Sequence, residues 1–313
     1  MRSTALVPAL ALVAATALVT ALGAQTRPAP DTDRDAPLTI RHGGRDRTYL
    51  LHDFSGGRRA PLVIVLHGGG GNAGNAVRMT SFDAVGARER LVVVYPNGTA
   101  ARSRVPLLTW NAGHCCASAM RERVDDVGFI AALIDREVAA GRADPSRAYV
   151  TGMSNGGMMA HRLGRELSAK IAAIAPVVGA VFGDEPAPAG PVAAFIVVGA
   201  DDRVVPGEGG PLDLRALIGR APADHDVAPA IEQARYWARA NRCGQPAESR
   251  TAATTRTAWT SCTADADVAF HRVNDNGHAW PGGRPGREGA AVPTAAFDAS
   301  AEMWRFFAAH RRR

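Results

Sequence analysis

A serine set between glycines is the first place in this chain where chemistry could occur. "GMSNG", Gly152 to Gly156, follows the β-prone run Arg147 to Thr151. It precedes a stretch in which Met159, Leu163 and Leu167 recur at helical four-residue spacing. That pattern predicts strand, sharp turn and helix, with the Ser154 hydroxyl raised at the turn. Small residues flank it because the two backbones must pass close together. A hydroxyl is a weak nucleophile unless a base takes its proton, and the base needs an acid to orient it. His278, in "NDNGHAWPGG", offers the base, and Asp201 or Asp202, after "AAFIVVGA", the acid. Acyl transfer also requires backbone N–H groups aimed at the developing oxyanion. Asn155, the residue after the serine, supplies one, and the glycine run after His67 the other, assigned to Gly69. Glycine-rich turns bind phosphate as well, but no G-x-x-x-x-G-K-[ST] pattern or nearby lysine accompanies this one. Each residue also has a plain reading: a capping serine, a surface histidine, turn aspartates, a histidine that only holds its loop.

These groups must be carried by elements that converge. "PLVIVL", "LVVVYP", "AYVTGM", "IAAIAPVV" and "AAFIVVG" are short apolar runs of the kind buried on both faces of a parallel sheet. "DRTYLLHDF" alternates as a strand does, and "VAFHRV" is a late strand. Helical stretches separate them: one running to Arg90, "VDDVGFIAALIDREVAA" capped by Asp125 or Asp126, "PAIEQARYWARANRC", and the closing "TAAFDASAEMWRFFAAH". Strands alternating with helices imply right-handed crossovers and a mostly parallel central sheet with helices on both faces. The candidate residues all fall beyond carboxyl ends of strands, where such sheets place their reactive loops. Two other histidines read differently: His271 lies within its strand and is expected to pack, and His161 to be satisfied by a neighbour or by water.

Residues 1–24 read as a secretory signal peptide: Arg2, then an uncharged Ala/Leu/Val run to Leu22, with Ala21 or Ala24 before the cut. The apolar run is almost long enough to span a bilayer, but its small residues and the lack of a basic flank favour cleavage. Residues 25–40 form a Pro/Asp-rich lead-in, expected to be disordered. Residues 41–313 remain as a single domain, secreted or periplasmic, with no membrane attachment after cleavage. The formal charge of +6 comes almost wholly from arginine, Lys170 being the only lysine. Acids intersperse the arginines except at the terminal "HRRR", which argues against a nucleic-acid partner. Among four cysteines, Cys243 and Cys262 flank a polar loop and are expected to bridge, contributing about 3 kcal/mol by loop closure. Adjacent Cys115 and Cys116 form either a vicinal disulfide or a buried thiol pair. Nothing in the pattern asks for a metal or cofactor, since His114 has no partner ligands.

"LHGGGGN", "VDDVGFI", "GMSNGGMMAHRL", "GADDRVVP" and "GHAWPGG", in that order, resemble the secreted esterases that include polyhydroxybutyrate depolymerases and feruloyl or acetyl-xylan esterases. The resemblance runs from about residue 45 to 308. It implies the α/β-hydrolase fold and a Ser-Asp-His triad on Ser154, Asp202 and His278, choosing Asp202 over Asp201. It also implies oxyanion donors on Asn155 and the "HGGGG" turn. Val198 and Arg203 stand where the family often has His and Pro. Because no separate polymer-binding module follows, the resemblance implies soluble esters: hydroxyalkanoate oligomers or, alternatively, feruloyl and acetyl groups on plant polysaccharide. Trp280, Trp110 and His67 are the candidate substrate-contacting residues, the tryptophans as flat walls. A non-catalytic binding protein on the same scaffold is the contrasting reading, and it normally lacks a triad member.

Overall fold

The computed structural model describes residues 1, 36–100, 107–213, 226–286 and 289–312. The expected signal peptide lies outside these residues. Ten strands form one sheet: β1 (Leu38–His42), β2 (Arg45–Asp53), β3 (Ala60–Leu66), β4 (Val92–Pro96), β5 (Ala143–Met153), β6 (Ala173–Val177), β7 (Ala193–Gly199), β8 (Ala247–Arg250), β9 (Thr254–Trp259) and β10 (Val268–Val273), in the order β1-β2-β4-β3-β5-β6-β7-β10-β9-β8. The six central strands, β4 to β10 in that order, are parallel, and the pairs at both margins are antiparallel. The predicted parallel sheet is therefore its centre.

The apolar runs account for that centre. Every residue of β3, β4, β6 and β7 is buried. Alternate side chains enter two separate cores. Leu62, Ile64 and Leu66 of β3 pack with α4 (Asp126–Ala139), α5 (Asn155–Glu166) and α6 (Ala230–Ala240). Val63 and Val65 pack on the opposite face with α1 (Ala73–Thr80), α2 (Phe82–Glu89) and α7 (Ala299–Ala309). A short α3 (Ala117–Arg121) precedes α4.

Three features depart from the sequence reading. β1 begins at Leu38, inside the expected lead-in, and pairs along β2. The single helix expected up to Arg90 is two, because Ser81 takes φ 56° and turns the chain between α1 and α2. Asp125 does cap α4, its carboxylate accepting from the Gly128 amide at 2.9 Å, whereas Asp126 is not a cap. Asp126 is fully buried against Arg47, at 2.6 Å, and its other oxygen accepts from the Asn111 amide at 2.8 Å. Burial raises the Asp126 carboxyl and lowers the Arg47 guanidinium from their ordinary values, against the attraction between them.

The register aligns the strand ends. Leu66 pairs with Gly152, Met153 with Val177, Val177 with Val197, and Gly199 with Val273. The segments holding His67, Ser154, Asp202 and His278 thus leave the sheet along one rim.

Candidate active site

Ser154 sits at the first bend after β5 with φ 56° and ψ −122°, a conformation that costs a non-glycine residue energy and persists only where neighbours enforce it. Enforcement comes from both sides: its N–H donates to Val177 O and its carbonyl accepts from Met158 N, each at 2.9 Å. The flanking glycines are required by contact. A Cβ on Gly152 would lie 2.6 Å from the Gly156 carbonyl and 2.8 Å from Leu66 Cβ. One on Gly156 would lie 2.5 Å from His67 O. The helix begins at Asn155, four residues before Met159, the first of the apolar positions at helical spacing.

His278 and Asp202 come together across 76 positions of sequence, Nδ1 to Oδ2 at 2.8 Å, with both side chains almost wholly buried. The other Asp202 oxygen accepts from the amides of Val204 (2.8 Å) and Val205 (3.0 Å). A carboxylate so held requires the N–H of His278 at Nδ1, which leaves the Nε2 lone pair free to accept a proton. Nε2 is buried with no hydrogen-bond partner among the described residues, and His278 lines the same cleft as Ser154. Asp201 has no part in this pair; its side chain is exposed and its amide donates to Asn276 O at 3.0 Å. Asn276, unsuspected from sequence, fixes the His278 loop: fully buried, it donates to Gly277 O and Ala279 O and accepts from Thr294 N. One of two asparagines in a glycine-rich loop, it carries no periodic signal that could have singled it out.

The predicted oxyanion donors lie side by side. A Cβ on Gly69 would be 3.7 Å from that of Asn155, and both residues line a small niche with Ser154. The Asn155 side chain has a separate task. Its oxygen accepts from Trp110 N at 2.7 Å and its amide donates to Trp110 O at 3.0 Å, clamping that loop against the helix start.

Two of the residues expected to touch substrate are internal instead. Trp110 is fully buried, and its indole donates to His67 O at 2.9 Å. His67 is likewise buried, Nδ1–H donating to Gly68 O at 2.7 Å while Nε2 accepts from Gly98 N at 3.0 Å. Burial holds this imidazole neutral, its pKa pushed down to about 4. Their bonds to the backbone of residues 67, 68 and 98 tie the glycine turn to its neighbouring loops. Trp280 borders the cleft but is itself almost wholly buried, its indole N–H donating to Ser300 Oγ at 3.0 Å, so it offers no exposed flat wall. His161 is satisfied by Gln233 (2.8 Å) and Trp237 (2.9 Å), and His271 packs between Phe195 and Phe297, as their positions led one to expect.

Two spaces meet at Ser154. One is an apolar niche of about 20 Å³, walled by Met158, Val205, Leu212 and the Cys115–Cys116 pair, which forms a vicinal disulfide. The other is an open cleft of about 450 Å³ that includes His278 and Trp280. Cys243 and Cys262 are bridged as expected, tying the end of α6 to the turn after β9. No group of His, Cys, Asp and Glu among the described residues is arranged to hold a metal, and none of their helices is long and apolar enough to cross a membrane.

A family model described as esterase PHB depolymerase matches residues 48–207, which contain the glycine turn, the elbow and Asp202. The chain belongs to this esterase family. NocK of Nocardia uniformis subsp. tsuyamanensis, a protein whose name places it among the esterases, is 32% identical over 270 residues, covering 80% of this chain and 76% of that one. The acetylxylan esterase/xylanase XynS20E of Neocallimastix patriciarum is 31% identical over 147 residues, 47% of this chain and 20% of that protein. Among solved structures, the acetyl xylan esterase of Aspergillus awamori superposes with a TM-score of 0.56 over 87% of this chain and 99% of its own, at 13% identity. That likeness shows the shared α/β fold. Family membership makes this esterase a carboxylic ester hydrolase.

Proposed function

We propose that this esterase works through an acyl-enzyme, with Ser154 as nucleophile, His278 as general base and Asp202 as the group that orients and stabilises the imidazolium. The observation that carries the reading is the buried Asp202–His278 bond, whose imidazole shares a cleft with a strained serine. In the first step Ser154 Oγ attacks the ester carbonyl as its proton passes to His278 Nε2. The amides of Asn155 and Gly69 receive the oxyanion, and loss of such a donor costs about 3 kcal/mol of transition-state stabilisation. His278 then returns the proton to the leaving alcohol. Water, activated by the same imidazole, releases the acid.

The substrates we propose are soluble esters with short acyl groups, hydroxyalkanoate oligomers first. Space of about 20 Å³ holds little more than one water-sized group, so the niche suits an acyl tail of a few heavy atoms. The same niche supports a second reading, removal of acetyl groups from polysaccharide, and argues against a feruloyl group on the acyl side. We further propose export with cleavage near Ala24, consistent with two disulfides. The test is hydrolysis of p-nitrophenyl acetate and release of 3-hydroxybutyrate, acetate or ferulate from matched esters. Wild type should release the first two far faster than ferulate, and Ser154→Ala should release none. Ester hydrolysis undiminished in Ser154→Ala would overturn the mechanism.

A further inference from the structure

Among the described residues, those with permanent charge that line the cleft beside Ser154 are all cations. Arg78, on α1, and Arg284, in the turn after Trp280, both line it, and no Asp or Glu among the described residues does. Both side chains are exposed, and neither has an ion-pair partner among the described residues. Their relative placement is built rather than accidental. The Arg284 amide donates to Met79 O at 3.0 Å, and Asn75 Nδ2 donates to Gly286 O. The turn is therefore stitched to the helix that bears Arg78, and two guanidinium groups arise from adjoining segments on one wall.

The chemistry fixes which half of an ester faces them. The leaving alcohol takes its proton from His278, so the alcohol portion must lie on the His278 side. His278 lines the wide cleft, whereas the small niche shares Ser154, Gly69 and Asn155 but not His278. The acyl tail thus enters the niche and the alcohol portion extends towards the arginines. We infer that the substrate is an ester whose alcohol portion bears an anion, most simply a carboxylate, and that Arg78 and Arg284 select it. This rests on the serine-esterase reading above. Water adds across the ester bond, the acyl group leaves as a free acid, and the alcohol leaves still carrying its own anionic group. Two exposed cations at a concave wall raise the local concentration of such a substrate and favour its bound orientation. Their influence falls on binding more than on bond making, so they are specificity residues and not catalytic ones.

The test compares 3-acetoxybutanoate with its neutral carboxamide, 3-acetoxybutanamide, in which the scissile acetate ester is unchanged. Wild type at low salt should favour the anion by about tenfold in kcat/KM, chiefly through KM, as expected for two partly exposed charges. Arg78→Gln and Arg284→Gln should each lower that ratio about threefold and the double variant bring it near one. Arg78→Lys should keep most of the preference, and 0.5 M NaCl should erase most of it in wild type, because screening at that strength acts within a few ångströms. A control pair with the charge on the acyl side, monomethyl succinate and methyl succinamate, should show no arginine dependence. Equal kcat/KM for the first pair, or a preference that survives the double variant, overturns the inference while leaving the esterase reading intact. Hydrolysis of neither ester overturns both.

Discussion

Asp202 divides its two oxygens between two tasks, and the division makes a sharp prediction. One oxygen accepts from the Val204 and Val205 amides, and the other binds His278 Nδ1. In Asp202→Asn the amide oxygen would keep the two backbone donors, so the new NH2 would face the imidazole. It would donate to Nδ1 and force the proton onto Nε2, away from any role as base. Fold and stability should change little, while kcat falls by about 10³- to 10⁴-fold. A variant with near wild-type kcat would contradict the assigned role. The loops that hold Ser154, Asp202 and His278 were legible in the sequence because each is short, glycine-marked and follows an apolar run. His67 and Trp110 were misread at this scale: residue type and proximity to the glycine turn do not reveal which side of that turn they occupy. The choice between Asp201 and Asp202 needed a family resemblance, since two neighbouring aspartates after one strand look alike until the Asn276 loop meets the first one's backbone.

At the level of elements, the elbow depends on helix and strand touching without side chains between them. A methyl group at Gly156 would press on the His67 and Leu66 carbonyls, which are backbone and cannot yield like a flexible side chain. Gly156→Ala should therefore cost about 3 kcal/mol of stability, read as a lower denaturant midpoint, and should reduce activity by shifting the oxyanion turn. An unchanged midpoint would mean that the two backbones are not this close. "VDDVGFI" is explained at the same scale. Asp125 starts α4, and Asp126 with Arg47 holds the 109–112 loop that Asn155 clamps. The central strands were readable as continuous apolar runs. β1 and β8 were not, because they are the sheet's edge strands and much of their surface faces solvent, all four residues of β8, "AESR", being exposed; β9, next to β8, is buried at only three of its six residues and shows no continuous apolar run.

Across the whole molecule, three buried histidines link stability to pH. His67, His161 and His271 are each pushed down to about 4 by burial, so the folded protein keeps them neutral while the unfolded chain titrates near 6.5. Between pH 6.5 and 4 the unfolded state binds more protons, and stability must fall as the pH falls through that window. Unfolding at about pH 5 should take up roughly two to three protons from these groups alone. The denaturant midpoint should be flat above pH 7 and fall steadily below 6.5. In His271→Phe, which removes a ring whose two nitrogens have no hydrogen-bond partner among the described residues, the fall should be shallower by about one proton. A midpoint unchanged from pH 7 to 5 would contradict this. The central claim is that loops from β5, β7 and β10 converge to make one serine nucleophilic, and the most direct measurement is covalent capture. Wild-type protein treated with a fluorophosphonate should gain one adduct mass, located on the peptide containing Ser154, with hydrolysis lost in parallel; Asp202→Asn should label far more slowly. Hydrolysis that persists without an adduct, or an adduct on any other residue, would contradict it.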